Sequence, residues 1–113
     1  MNRLNWIEEC PAAITVCDLE GTIVAMNEKS QAVFLKEGGR ALIGTSIYDC
    51  HPEPSRTRLR EIMAEGRINV YTIEKNGVKK MIYQCPWREQ GQLAGLVEIS
   101  REIPFELPHF IRT

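Results

Sequence analysis

Apolar and polar positions alternate with a period of two near the start of the chain, over AAITVCD (residues 12–18). There Ile14 and Val16 are β-branched and stand between small or polar neighbours. DLEGT follows as a turn, with Gly21 able to take positive φ, and TIVAMN reads as the return strand of a hairpin. Asn27 then opens a short helix over EKSQAVF, because its side-chain oxygen can accept from exposed first-turn amides. Gly38 and Gly39 stop it. RALIGTSIYD is irregular or holds one helical turn. In PEPSRTRLREIMAEG the period changes to that of a helix: Leu59, Ile62 and Met63 share a side, proline is tolerated at the start, and Gly66 ends the run. The last third alternates again. INVYTIEK and VKKMIYQCPW flank Asn76–Gly77, a strong hairpin signal, and REQGQ turns into the final strand LAGLVEISREI, with Leu93, Val97 and Ile99 assigned to one face.

The predicted order is two strands, short helices, one longer helix and three strands. The fold class is α+β: a five-stranded antiparallel sheet with helices packed on one face. Residues 1–10 are read as a helical cap, with a helix over 2–9 carrying Leu4, Trp6 and Ile7. Residues 11–103 form the domain. Residues 104–113 form a tail, whose two prolines prevent much extension of the last strand and which folds back or meets a partner.

Composition narrows the function classes. The 113 residues are 43% apolar and 26% charged, with net charge −1 and a pI near 6.1. That is one domain, with no basic footprint for nucleic acid. Arg56, Arg58 and Arg60 alternate on a helix and therefore point in different directions. MNRLNWIEEC lacks an apolar signal region, and no apolar run is long enough for a membrane span, so a cytoplasmic protein is expected. Cys10, Cys17, Cys50 and Cys85 form no C-x-x-C pair and are read as free thiols, with no zinc site.

The order and spacing of these segments resemble a PAS domain over residues 8–103. ITVCDLEGTIVAMNEKSQAVF is similar to the family's opening hairpin and asparagine-started helix. LIGTSIYD resembles the glycine-containing connector to its long helix, and GQLAGLVEISREI its closing strand. The usual Asp-Ile-Thr ending reads Glu102–Ile103–Pro104 here. DCHPEPS resembles a subgroup of bacterial PAS domains with a Cys-His-Pro run at this point. The resemblance implies a sensory or interaction module with a small-ligand pocket between sheet and helices, acting through a homodimer or a signalling partner; no catalytic role is expected, because no Ser-His-Asp set, glycine-rich phosphate loop or metal-protease pattern occurs. It names no cofactor.

Candidate chemistry centres on SIYDCHPEPS (residues 46–55). The plainer reading makes it the entrance to the long helix, with Asp49 or His51 accepting from early amides and Pro52 and Pro54 stiffening the approach. The sharper reading makes His51 a haem ligand facing the pocket, since neutral imidazole is a common metal ligand and the family includes haem-binding members. A Cys50–His51 catalytic pair is disfavoured, because neighbours in an extended segment point apart. Two Cys-Pro pairs, Cys10–Pro11 and Cys85–Pro86, match a haem-regulatory dipeptide, but Pro86 more simply marks a strand edge or bulge. No flavin-adduct motif surrounds Cys50.

The expected pocket wall comprises Leu59, Ile62 and Met63 from the long helix and Val70, Met81, Tyr83, Cys85, Val97 and Ile99 from the strands. Tyr71 and Tyr83 are added because a buried hydroxyl needs a partner that a ligand can supply. A filled apolar core is the competing reading, with a pure dimerisation domain as its functional form. A one-residue register change would exchange the two strand faces.

Overall fold

A computed structural model describes residues 4–113. Strands β1 (Ala13–Asp18) and β2 (Ile23–Met26) form the first hairpin. Helix α1 (Glu28–Val33) follows, then short 3-10 turns at Leu35–Glu37, Gly39–Leu42 and Ile47–Cys50. Helix α2 (Ser55–Glu65) leads into β3 (Asn69–Lys75), β4 (Val78–Glu89) and β5 (Gln92–Ile103). The strands make one antiparallel sheet in the order β2-β1-β5-β4-β3. Pairing the last strand with the first closes the sheet around its centre. The helices cover one face, which is called the inner face below.

Local chemistry explains the punctuation. Asp18 Oδ1 accepts from the amides of Glu20 and Thr22 at 3.0 and 2.9 Å and shapes the first turn. Gly21 is required there twice over: its φ is +86°, and a Cβ would stand 2.5 Å from the Tyr48 ring. Asn76 and Gly77 both take positive φ, as a two-residue type I′ turn demands. Gly66 caps α2 in the left-handed region.

Asn27 does more than cap α1. Its Oδ1 accepts from Ser30 N and Ile14 N at 3.0 and 2.9 Å, and its Nδ2 donates to the carbonyls of Ile7 and Ala12 at 2.8 and 2.9 Å. It is 2% exposed. One side chain thus ties the entry segment, β1 and α1 together with every polar site filled. The main apolar cluster is Cys17, Ile23, Met26, Ile47, Leu59, Ile62, Met63 and Leu96, between the helices and the inner face.

Three expectations change. Residues 4–10 form hydrogen-bonded turns, Glu8 N to Asn5 O and Cys10 N to Ile7 O, rather than a helix; residues 2 and 3 of the expected 2–9 helix lie outside the described residues. Pro11 follows closely, and the carbonyls of Ile7 and Ala12 are drawn to Asn27 instead of a helical ladder. The tail does not fold back: Phe105, Leu107, Phe110 and Ile111 are 53–86% exposed. Leu93 does not share a face with Val97 and Ile99. A bulge in the β4–β5 ladder pairs Trp87 with Gly95 and Arg88 with Leu93, and the extra residue turns Leu93 toward Gly66 on the helix side.

Gly95 makes that bulge possible. A Cβ there would stand 1.9 Å from the carbonyl oxygen of Cys17, which also accepts from Trp87 Nε1 at 3.0 Å. Pro86 sits where β4 has passed the end of β3: the β3–β4 pairing ends at Asn69–Gln84. The missing proline N–H therefore costs no bond to β3.

Candidate functional site

Under α2 the core does not close. A cavity of about 190 Å3 lies against the inner face. Its floor is Thr15 and Cys17 from β1 with Leu96 and Glu98 from β5. Its far wall is Ile23, Met26, Phe34 and Leu42. Ile47, Cys50, His51 and Leu59 form the side nearest α2, and Glu37 stands at the rim. A second, more polar groove of about 360 Å3 lies on the other side of His51 and Leu59, between α2 and β3–β4, where Ser55, Arg58, Asn69, Tyr71 and Gln84 meet.

A polar row crosses the inner face between these spaces. Asn69 Nδ2 donates to Gln84 Oε1 at 3.0 Å, and Gln84 Nε2 donates to Glu98 Oε1 at 2.8 Å. Thr15, opposite Glu98 in the register, shares a 2.6 Å hydrogen bond with the Ser30 hydroxyl. Gln84 and Ser30 are 3% and 0% exposed, so the row is bound into the interior. Partnered in this way, polar groups are tolerated there; unpartnered they would each cost about 1–3 kcal/mol.

His51 is the hinge between the two spaces. Its Nδ1 lies 2.7 Å from the carbonyl oxygen of Ile47. A carbonyl only accepts, so Nδ1 carries the hydrogen and Nε2 of the neutral ring keeps its lone pair. Cys50 Sγ is directed to the Ser46 carbonyl at 3.9 Å. Cys50 and His51 therefore each bond backward to their own turn, and not to each other.

The helix entrance is organised differently from the expectation. Neither Asp49 nor His51 receives an early α2 amide. Glu53 Oε1 does, accepting from Thr57 N at 3.0 Å and Thr57 Oγ1 at 2.7 Å, and these bonds hold its carboxyl below the usual range. Arg56 Nε donates to the His51 carbonyl at 3.2 Å and anchors the turn to the helix.

The expected site residues separate into three groups. His51 and Leu59 line the cavity. Ile62, Met63 and Tyr71 are on the inner side but outside the cavity wall. Ile62 (0% exposed) and Tyr71 border the second groove, and Met63 is buried on the flank beside Tyr48 and Leu93. The Tyr71 phenol is held above its ordinary pKa by burial and by Glu98, with Arg58 opposing.

Met81, Tyr83 and Val97 lie on the opposite, outer face and do not line the cavity. The register shows why. Tyr83 pairs with Val70 and Ile99, and Cys85 with Val97, whereas the inner-face pairs are Ile82–Ser100, Gln84–Glu98 and Cys17–Leu96. Every strand residue assigned to the pocket by sequence, Tyr71 excepted, belongs to the other parity.

Residues missed by sequence reasoning are the floor of Thr15, Cys17, Leu96 and Glu98, the whole far wall, Ile47, Glu37, and the Asn69 and Gln84 that complete the polar row. One signal was present: Glu98 interrupts the apolar run LVEIS, and a carboxylate inside a central strand needs a reason. Cys17 contributes a neutral group, because burial pushes its thiol from 9.0 up to about 11. Among the described residues no His, Cys, Asp and Glu cluster suited to a metal ion occurs, and no helix is long and apolar enough to cross a membrane.

Comparison with known proteins places this geometry. Residues 7–66 match the family model of the PAS fold. Comparison with curated protein sequences gives no match. Among solved structures, the chain is similar to the Aer2 receptor from Vibrio cholerae, described as a dual PAS-heme oxygen sensor: 16% identity, TM-score 0.63, covering 82% of this chain and 95% of that one. It is similar to the PAS domain of BvgS from Bordetella pertussis at 18% identity and TM-score 0.65, over 87% and 81% of the two chains. A sensory box sensor histidine kinase from Vibrio cholerae matches at 14% identity and TM-score 0.65, over 88% and 87%. At these identities the likeness is one of fold.

Proposed function

The chain belongs to the PAS fold family, and we propose that it is a sensory module in which a small molecule held under α2 alters a surface read by a partner protein or a second copy. Receptors and histidine kinases are where structures of this fold recur among its relatives. The observation that carries the reading is the cavity of about 190 Å3. Packed cores leave few voids larger than a water molecule, so a void of this size departs from ordinary packing and disfavours a pure interaction domain with a filled core. Drug-sized ligands occupy roughly 300–1,000 Å3, whereas a dry cavity of about 150 Å3 takes one benzene ring. The ligand is therefore compact. Leu96 and Glu98 on its floor are neighbours of Val97 on the outer face, so a shift of β5 is felt on both sides.

The outer face is the surface proposed for the partner or second copy. Tyr83, Cys85, Val97 and Ile99 are only half-buried there, Val70 is 52% exposed, and the apolar tail residues Phe105 and Phe110 stand clear of the domain.

One observation favours the haem reading: His51 presents Nε2 in the manner of a metal ligand, with Nδ1–H held by a carbonyl. The space opposes it. A cavity close to the size of a single six-membered ring does not admit a four-pyrrole macrocycle unless α2 is displaced, so the residues present do not fit haem.

The test is to denature the purified protein and analyse released small molecules by mass spectrometry, for wild type and Leu59→Phe. A compact molecule lost in the variant is the expected result. If nothing is released and Leu59→Phe is more stable than wild type, the void is a packing defect and the reading fails.

A further inference from the structure

Resting on that ligand-sensing reading, we infer that the cavity selects a compact organic cation, such as a primary ammonium on a small apolar body. The argument is the charge of the wall. Thirteen residues line the space, and none is Lys or Arg. Seven are apolar side chains without a polar atom to offer a ligand's charge: Ile23, Met26, Phe34, Leu42, Ile47, Leu59 and Leu96. The other six are Thr15, whose hydroxyl is engaged with Ser30, two thiols, His51, Glu37 and Glu98.

Two carboxylates thus face a mostly apolar space. Glu98 is half-buried on the floor and Glu37 exposed at the rim. Gln84 Nε2 fixes Glu98 through Oε1, which presents the carboxylate rather than neutralising it. Among the described residues neither carboxylate forms an ion pair; the salt bridge there joins Arg67 to Glu65. Arg58 lines the groove beyond His51 and not this cavity.

In its neutral form His51 adds an acceptor to the same wall, because the nitrogen that donates is already spent on Ile47. The fixed groups therefore ask for hydrogen-bond donors and positive charge. A carboxylate or phosphate ligand would meet two negative side chains and no cation. A neutral apolar ring would fill the space but leave the half-buried Glu98 unmatched.

The experiment is calorimetric titration of the full chain with three isosteric probes: benzylammonium, benzyl alcohol and benzoate. Benzylammonium is expected to bind about ten-fold or more tightly than benzyl alcohol, the scale of one charge-assisted hydrogen bond, with benzoate weakest. Glu98→Gln should remove most of that preference. Its amide oxygen can still accept from Gln84, so the polar row is retained. Glu37→Gln, at an exposed position, should reduce the preference without disturbing the fold. Equal binding of the three probes, or a preference untouched by both substitutions, overturns the cation inference and leaves the ligand-sensing reading standing. Failure of all three probes to bind overturns the cation inference, and the release experiment with Leu59→Phe then decides the ligand-sensing reading separately.

Discussion

Gln84 and Glu98 are hydrogen-bonded to each other on the inner face of β4 and β5, in the interior of the protein. One residue along each strand, Tyr83, Cys85, Val97 and Ile99 stand on the outer face, apolar and only partly covered. In an ordinary antiparallel sheet with one solvated face the assignment is the reverse, apolar toward the core and polar toward water. The exchange teaches what each face is for. A polar row inside is costly unless every member is partnered, so it persists where orientation near a cavity is required. An apolar outer face is exposed unless another surface covers it.

The largest effect should come from breaking the inner row. Gln84→Ala removes the donor to Glu98 and the acceptor for Asn69, both at buried or part-buried positions. A destabilisation of about 2–3 kcal/mol is expected, read as a lowered urea midpoint with unchanged slope. If the stability is within error of wild type, the row is incidental to the fold.

An intermediate effect distinguishes the two thiols. Burial raises both, Cys17 on the inner face to about 11 and Cys85 on the outer face in the same direction. A thiol whose pKa is raised in the folded state stays protonated after the unfolded chain has begun to lose its proton. Its contribution is therefore complete below pH 9.0 and is lost as pH rises through about 11. Denaturant titrations across that window should show a smaller decline for Cys17→Val than for wild type. Cys85→Val should change the decline less. The opposite ranking would mean that the outer thiol is the better shielded of the two.

The smallest effect on stability, about 1 kcal/mol, is expected from placing serine at both Tyr83 and Val97, because these side chains are only partly buried before any partner binds. The informative readout is association. Sedimentation of wild type should report self-association that the double variant loses. A monomeric wild type would assign the face to a different protein.

Much of the architecture is written in local chemistry. Asn76–Gly77 specifies its own turn, Asn27 its own helix start and Gly66 its own helix end, because each answers to the backbone within a few residues. The site is written less plainly. In VKKMIYQ both parities of the strand carry apolar residues, so alternation alone does not say which side meets α2. Tyr83 and Val97 suggested the interior on hydrophobicity, and nothing in that alternation marked Gln84 and Glu98 as the residues of the buried face. At the helix entrance, Pro52 and Pro54 announced a boundary, but which side chain caps it depended on geometry that favours Glu53.

The sequence by itself determined the element order, the hairpin turns, the capping of α1 and the five-stranded class, since these arise from short-range sterics and periodicity. Only the tertiary structure decided which face of β4 and β5 is buried, because the bulge opposite Gly95 and the pairing of β5 with β1 set that register across the sheet. It alone assembled the cavity, whose walls come from β1, β2, the connecting turns, α2 and β5, and so placed two carboxylates from Glu37 and Glu98 around one small apolar space. A charge acquires that meaning through neighbours distant in the chain, whose identity no local pattern encodes.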